Sequence, residues 1–187
     1  DNMNKDEAIL LISNSLKSVL ERSKDLIAIN ANEDTFNGRL ARILEQKLNE
    51  YAANYSDKFS VYLGYNNELS HLIVAGSDMF AMPSQFEPCG LTQMYSLKYG
   101  TIPVVRNTGG LADTVHDWDD RISKGEIDGN GFSFNDFNGY GLTDAIERAA
   151  YSFANKKLWK QIQMNGMKTS FSWEVSAKKY LDIYKLA

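Results

Sequence analysis

One cysteine, two histidines and three prolines are all that this chain of 187 residues holds of those types. The lone Cys89 excludes an internal disulfide and fits a reducing compartment. There is no cysteine pair and no HExxH-like spacing, so no metal site is expected. An excess of positive charge is also lacking: 20 Lys and Arg stand against 24 Asp and Glu, a net charge of -4. No basic stripe appears, which argues against a nucleic-acid partner. No apolar run is long enough to span a bilayer. The opening DNMNKDEAIL has no apolar signal-peptide core, so neither a membrane partner nor secretion is expected. No GxGxxG follows the first apolar run, which removes the nicotinamide-binding fingerprint. What remains is the composition of a soluble globular protein, 43% hydrophobic and 24% charged. Its length suits a single domain with a proper core.

The apolar pattern alternates between two periods. Ile9, Ile12, Leu16 and Val19 give residues 5–22 the stripe of an amphipathic helix. LIAIN (26–30) reads as a short buried strand. A second helix follows, capped by Asp34 or Thr35, with Phe36, Leu40, Leu44, Leu48, Tyr51 and Tyr55 on one face. FSVYL (59–63) reads as a second strand, 67–75 as a short helix, and DMFAM (78–82) as a third strand closed by Pro83. A loop at 83–90 leads into a helix over about 91–99, which Gly100 stops. IPVV (102–105) is a fourth strand with its proline near the start, followed by a Gly109-Gly110 turn. The polar, acidic residues 117–131 read as a surface loop and GFSF (131–134) as a last edge strand. The remainder reads as helical, ending in a helix over about 173–186 with Trp173, Ala177, Tyr180 and Tyr184 on one face. Strands alternating with helices predict an α/β, Rossmann-like parallel sheet with helices on both faces. Ligands of such sheets bind at the carboxyl ends of strands where strand order reverses, here the loops after 59–63, 78–82 and 102–105.

The loop PSQFEPCGLTQ (83–93) is stiffened by Pro83 and Pro88, and Gly90 allows close backbone approach. The free N–H groups and positive dipole end of the next helix suit a phosphate, and the Glu87 carboxylate suits sugar hydroxyls. The same residues fit a stiff surface loop with a solvated glutamate equally well. Tyr65, in LGYNNELSH (63–71), is placed to stack on a base, although a half-buried tyrosine at a strand end is the commoner case. His71 lies on an apolar helix face and reads as a packed, hydrogen-bonded histidine. His116 carries no signal. In RNTGGLADTV (106–115) the glycines permit either a ligand-facing amide turn or a plain turn, and Arg106 is a candidate anion contact. Cys89 lies near a helix start, but no pattern pairs it with a histidine base, so a thiol nucleophile is not expected.

Three stretches together resemble the starch synthase and bacterial-type glycogen synthase family: YNNELSHLIVAGSDMFAMPSQFEPCGLTQMYSLKYGTIPVVRNTGGLADTV (65–115), GNGFSF (129–134) and FSWEVSAKKYLDIY (171–184). The resemblance covers residues 58–187 well and residues 6–57 in pattern only. It implies the C-terminal half of a retaining GT-B glucosyltransferase. The whole chain is then a single nucleotide-sugar-binding domain, with the N-terminal, acceptor-binding domain outside it. Such an enzyme passes glucose from ADP-glucose, ahead of UDP-glucose, to the non-reducing end of an α-1,4-glucan, with no cofactor beyond the nucleotide sugar. The isolated domain is expected to be inactive. It would reside in the cytoplasm of a bacterium or the plastid of a plant or alga. Position by position, the resemblance assigns Glu87 and Cys89 to the catalytic site, Glu87 at the donor glucose and Cys89 lining the sugar pocket. Gly90, Leu91 and Thr92 form the helix start that cradles the diphosphate. Tyr65 packs on the adenine, and Gly109 and Gly110 match a second glycine loop. One family feature is missing: Lys5 is a poor match to the paired Lys and Arg that grip the donor phosphates. Related glucosyltransferases hold the ribose with a second glutamate where this chain has Tyr95, a departure that fits the starch and glycogen synthase branch. Asn107 replaces a commonly basic residue. A binding-only relative, recognising sugar nucleotides or glucans without catalysis, stays open beside the transferase.

Overall fold

The computed structural model describes residues 27–29 and 38–186. The expected helix at 5–22, the Asp34 or Thr35 cap, and Lys5 lie outside the described residues. Four strands, β1 (Ile27–Ile29), β2 (Met79–Met82), β3 (Ile102–Arg106) and β4 (Phe132–Phe134), form one parallel sheet in the order β1-β2-β3-β4. Eight helices accompany them among these residues: α1 (Gly38–Asn54), α2 (Asn67–Gly76), α3 (Thr92–Tyr99), α4 (Gly109–Thr114), α5 (Trp118–Ser123), α6 (Gly139–Ala154), α7 (Lys156–Lys168) and α8 (Trp173–Leu186). None of the described helices is long and apolar enough to cross a membrane.

All four residues of β2 are buried, as a strand covered on both faces requires. Alternation sends them to two cores. Met79, Ile102, Val104, Phe132 and Phe134 pack with Ala145, Ile146 and Ala149 of α6 and Trp159 and Ile162 of α7. Phe80, Met82 and Val105 pack on the other face with Val74 of α2 and Leu111 of α4. Pro103 is tolerated in a central strand for a reason of register. The Ile102 N–H turns toward the β2 side, to the Asp78 carbonyl (3.0 Å). Successive N–H groups alternate, so the donor that proline lacks belongs to the β4 side, where pairing begins only at Val104 opposite Phe132.

Three expectations are corrected. Residues 59–63 form no strand. They leave a turn in which the Lys58 and Phe59 N–H groups both donate to the Tyr55 carbonyl. They join no ladder among the described residues, and Tyr62 and Leu63 are exposed. A β-rich composition without a neighbour to pair with gives irregular chain. The acidic stretch 117–131 is not all surface loop. Asp117 caps α5 by accepting from the N–H groups of Asp119 (3.0 Å) and Asp120 (3.1 Å), and Trp118 and Asn130 are buried. The Gly109-Gly110 turn is the opening of α4. The expected stripe on the last helix shares one face of α8, but Trp173, Tyr180 and Tyr184 are exposed.

Arg148 on α6 holds β4 and α5 in place. Its guanidinium donates to the Ser133 carbonyl (2.7 Å) and to the carboxylates of Asp117 (3.1 Å), Asp119 (2.8 Å) and Asp144 (2.9 Å). Burial works against its charge, but the hydrogen bonds and charges of Asp119, Asp117 and Asp144 outweigh it and raise its pKa above the ordinary arginine value. Replacing Arg148 by methionine strands the mostly buried Asp117. We expect a loss of roughly 1–3 kcal/mol in denaturant unfolding, because a partner is removed from a partly buried charge network. An unchanged midpoint would show that water replaces the guanidinium without cost.

Candidate functional site

The described strands run in sequence order, without a reversal, so the site is located by its loops. Those at the carboxyl ends of β2 and β3 meet. The Gly110 N–H donates to the Glu87 carbonyl (2.9 Å). A Cβ on Gly109 would overlap that same carbonyl oxygen, and one on Gly110 would overlap the Cys89 carbonyl. Glycine is therefore required here by backbone running against backbone, and Gly109 also holds a φ of 44°. The contact brings Glu87, Cys89, Gly109 and Gly110, all singled out in the sequence, to one place.

Glu87 is half-buried in this loop, and its carboxylate makes no hydrogen bond or ion pair among the described residues. Cys89 is exposed, and its thiol makes only a long contact to the Gly90 carbonyl (3.8 Å). Gly90 is left-handed (φ 72°) and Leu91 right-handed (φ -104°, ψ -33°). Such alternation of hand makes successive N–H groups converge into an anion-receptive concavity. The N–H groups of Gly90, Leu91 and Thr92 meet no acceptor among the described residues, and no side chain caps α3. The positive end of the α3 dipole lies at the same point. Free amides at a helix start can receive an anion, and Glu87 stands three residues before the first of them.

Other expected residues fall elsewhere. Arg106, read as a candidate anion contact, donates from Nη1 to the Gln85 carbonyl and from Nε to the Asn135 carbonyl (3.2 Å), and stacks over Phe137 (5.2 Å). It straps the β2 loop to the end of β4. Asn107 donates to the Asn135 side chain (2.9 Å). Tyr65 is 89% exposed on the irregular segment before α2 and makes no hydrogen bond or ring contact among the described residues. His71 is the packed histidine expected, bonded through Nδ1 to the Tyr99 hydroxyl (3.2 Å) and lying against the Tyr95 ring (5.3 Å). The sequence reading missed Gln93. It is fully buried, and its Nε2 reaches the carbonyls of Cys89 (3.0 Å) and Gly90 (2.8 Å) and the Thr114 hydroxyl (3.2 Å). The available signal was a polar amide within the first turn of a helix that opens beside a glycine.

A parallel sheet whose glycine-bearing loops meet at the carboxyl ends of β2 and β3, beside an uncapped helix start, is an α/β scaffold with its candidate site at the strand ends. Residues 44–150 match the family model described as glycosyl transferases group 1, and the chain belongs to that family. Within it, the chain is 39% identical over 183 residues to the glycogen synthase of Bacillus cereus (strain B4264), covering 98% of this chain and 36% of that protein. It is 48% identical over 142 residues to the glycogen synthase of Desulfitobacterium hafniense, covering 75% of this chain and 30% of that one. A solved structure, the catalytic domain of starch synthase IV from Arabidopsis thaliana bound to ADP and acarbose, superimposes with a TM-score of 0.73 at 32% identity. It is covered over 36% of its length by 98% of this chain. The chain thus spans about a third of the length of these relatives.

Proposed function

We propose that this chain is the donor-binding half of a glucan synthase, which transfers glucose from ADP-glucose to the non-reducing end of an α-1,4-glucan with retention. The observation that carries the reading is that the Gly109–Gly110 backbone closes on the Glu87 carbonyl, in the same short loop that ends in the unpartnered amides of Gly90, Leu91 and Thr92. The likeness to glycogen synthases, and to a starch synthase structure bound to ADP, supports it.

In this reading the diphosphate lies on the three amides and the α3 dipole, which take up negative charge as it leaves. The Glu87 carboxylate accepts from sugar hydroxyls and stabilises positive charge developing at C1 in the oxocarbenium-like state. Cys89 lines the sugar pocket, Gly109 and Gly110 hold the second loop against the first, and Tyr65 packs on the adenine. No cofactor beyond the nucleotide sugar enters the scheme. An N-terminal domain of the whole enzyme supplies the glucan acceptor and closes over the donor.

The test is calorimetric titration of the chain with ADP, UDP and ADP-glucose. ADP binding well ahead of UDP is the expected result, and no binding of any of the three would overturn the donor-site assignment. Tyr65→Ala in the same titration is expected to weaken ADP by roughly 1–3 kcal/mol, the range of aromatic–base stacking. Unchanged affinity would remove Tyr65 from the site.

A further inference from the structure

We infer that Gln93 is a positioning residue for the diphosphate: its buried side-chain amide sets which way the 89–91 backbone presents its N–H groups. The inference rests on the donor-site reading above and adds a residue to it.

A single nitrogen, Gln93 Nε2, gathers the carbonyls of two consecutive residues, Cys89 and Gly90. Among the described residues there is no cis peptide bond, so in each of these peptide units the N–H points opposite to the C=O. Turning both carbonyls inward to Gln93 therefore turns the N–H groups of Gly90 and Leu91 outward, to the side where Cys89 and Leu91 are exposed. Without an inward donor, these carbonyls would lose the hydrogen bonds that hold them inward. Flipping either peptide to relieve that would replace an outward N–H with an outward oxygen, which repels a phosphate.

Three further observations fit this role. Gln93 Oε1 is buried and has no hydrogen-bond partner, an arrangement that disfavours a glutamine kept only for stability. A Cβ on residue 90 would overlap that oxygen, so the inward amide needs a glycine at that position. The third partner of Nε2, the Thr114 hydroxyl, itself donates to the Gly110 carbonyl (2.7 Å). Gln93 thus ties the phosphate loop to the helix that carries the second glycine loop.

Gln93→Glu keeps the shape and removes both N–H donors, and Gln93→Met removes all polarity. Both are titrated as full chains with ADP and with adenosine, beside the unaltered chain. Both variants are expected to bind ADP about tenfold to a hundredfold more weakly, the equivalent of one charged hydrogen bond. Adenosine, which has no phosphate, should stay within about twofold, because positioning of amides touches only the phosphates. Unchanged ADP affinity in both variants would overturn the inference. So would a parallel loss of adenosine and ADP, which marks a merely structural glutamine. Failure of the unaltered chain to bind ADP would instead sink the donor-site reading, and this inference with it.

Discussion

Glu87→Ala lowers kcat for glucosyl transfer by about a hundredfold or more, the scale on which loss of one preorganised charge-stabilising group is felt. KM for the nucleotide sugar moves much less. The asymmetry follows from how the residue is held. Its backbone is anchored by the Gly110 N–H, and its carboxylate has no other task among the described residues. Truncation thus leaves the loop in place and removes only the carboxylate that the proposed mechanism sets against the reacting carbon. Removing an interaction made in the transition state alone lowers kcat and kcat/KM together. Steady-state kinetics of an active enzyme carrying this domain reads the split. A rise in KM with kcat intact would reduce Glu87 to a sugar-binding residue.

Gly110→Ala has the other large effect, and it acts on the fold as well as the site. The added methyl would overlap the Cys89 carbonyl oxygen, a backbone atom that no rotamer change can move aside. The two loops must part, and the Gly110 to Glu87 hydrogen bond is lost with them. Overpacking and one buried hydrogen bond together cost roughly 2–4 kcal/mol. ADP affinity should fall as well, because Glu87 and the Gly90 amides shift with the loop. Gly76→Ala is the control, since a Cβ there meets nothing within 4 Å. Thermal unfolding of the two variants side by side tests the claim. Equal midpoints would mean that the loops separate freely.

Much of this was legible in the residues because the relevant physics is local. The runs MFAM and IPVV are apolar throughout, as strands buried on both faces must be, and both are strands. The prolines and glycines of 83–90 and 109–110 marked the two loops that meet. FSVYL carries the same β-branched and aromatic residues, yet forms no strand, since composition does not name a pairing partner. With that strand goes the support expected beneath Tyr65. Helix α5 was hidden by acidic residues that read as solvated loop, while its stability comes from the Asp117 cap and the buried Trp118. Gln93 was overlooked because its meaning lies in burial, and burial depends on what the rest of the chain places around it.

The meeting of the two loops also bears on how such a domain can vary. Side-chain contacts must change in matched pairs, but the Glu87–Gly110 contact joins main chain to main chain and reads no side-chain identity. A chimera that exchanges residues 83–91 or 106–114 with those of a relative should keep the joint, provided the glycines at 90, 109 and 110 are kept. The pocket wall can then be recombined piecewise, and specificity can drift in one loop while the other stands still.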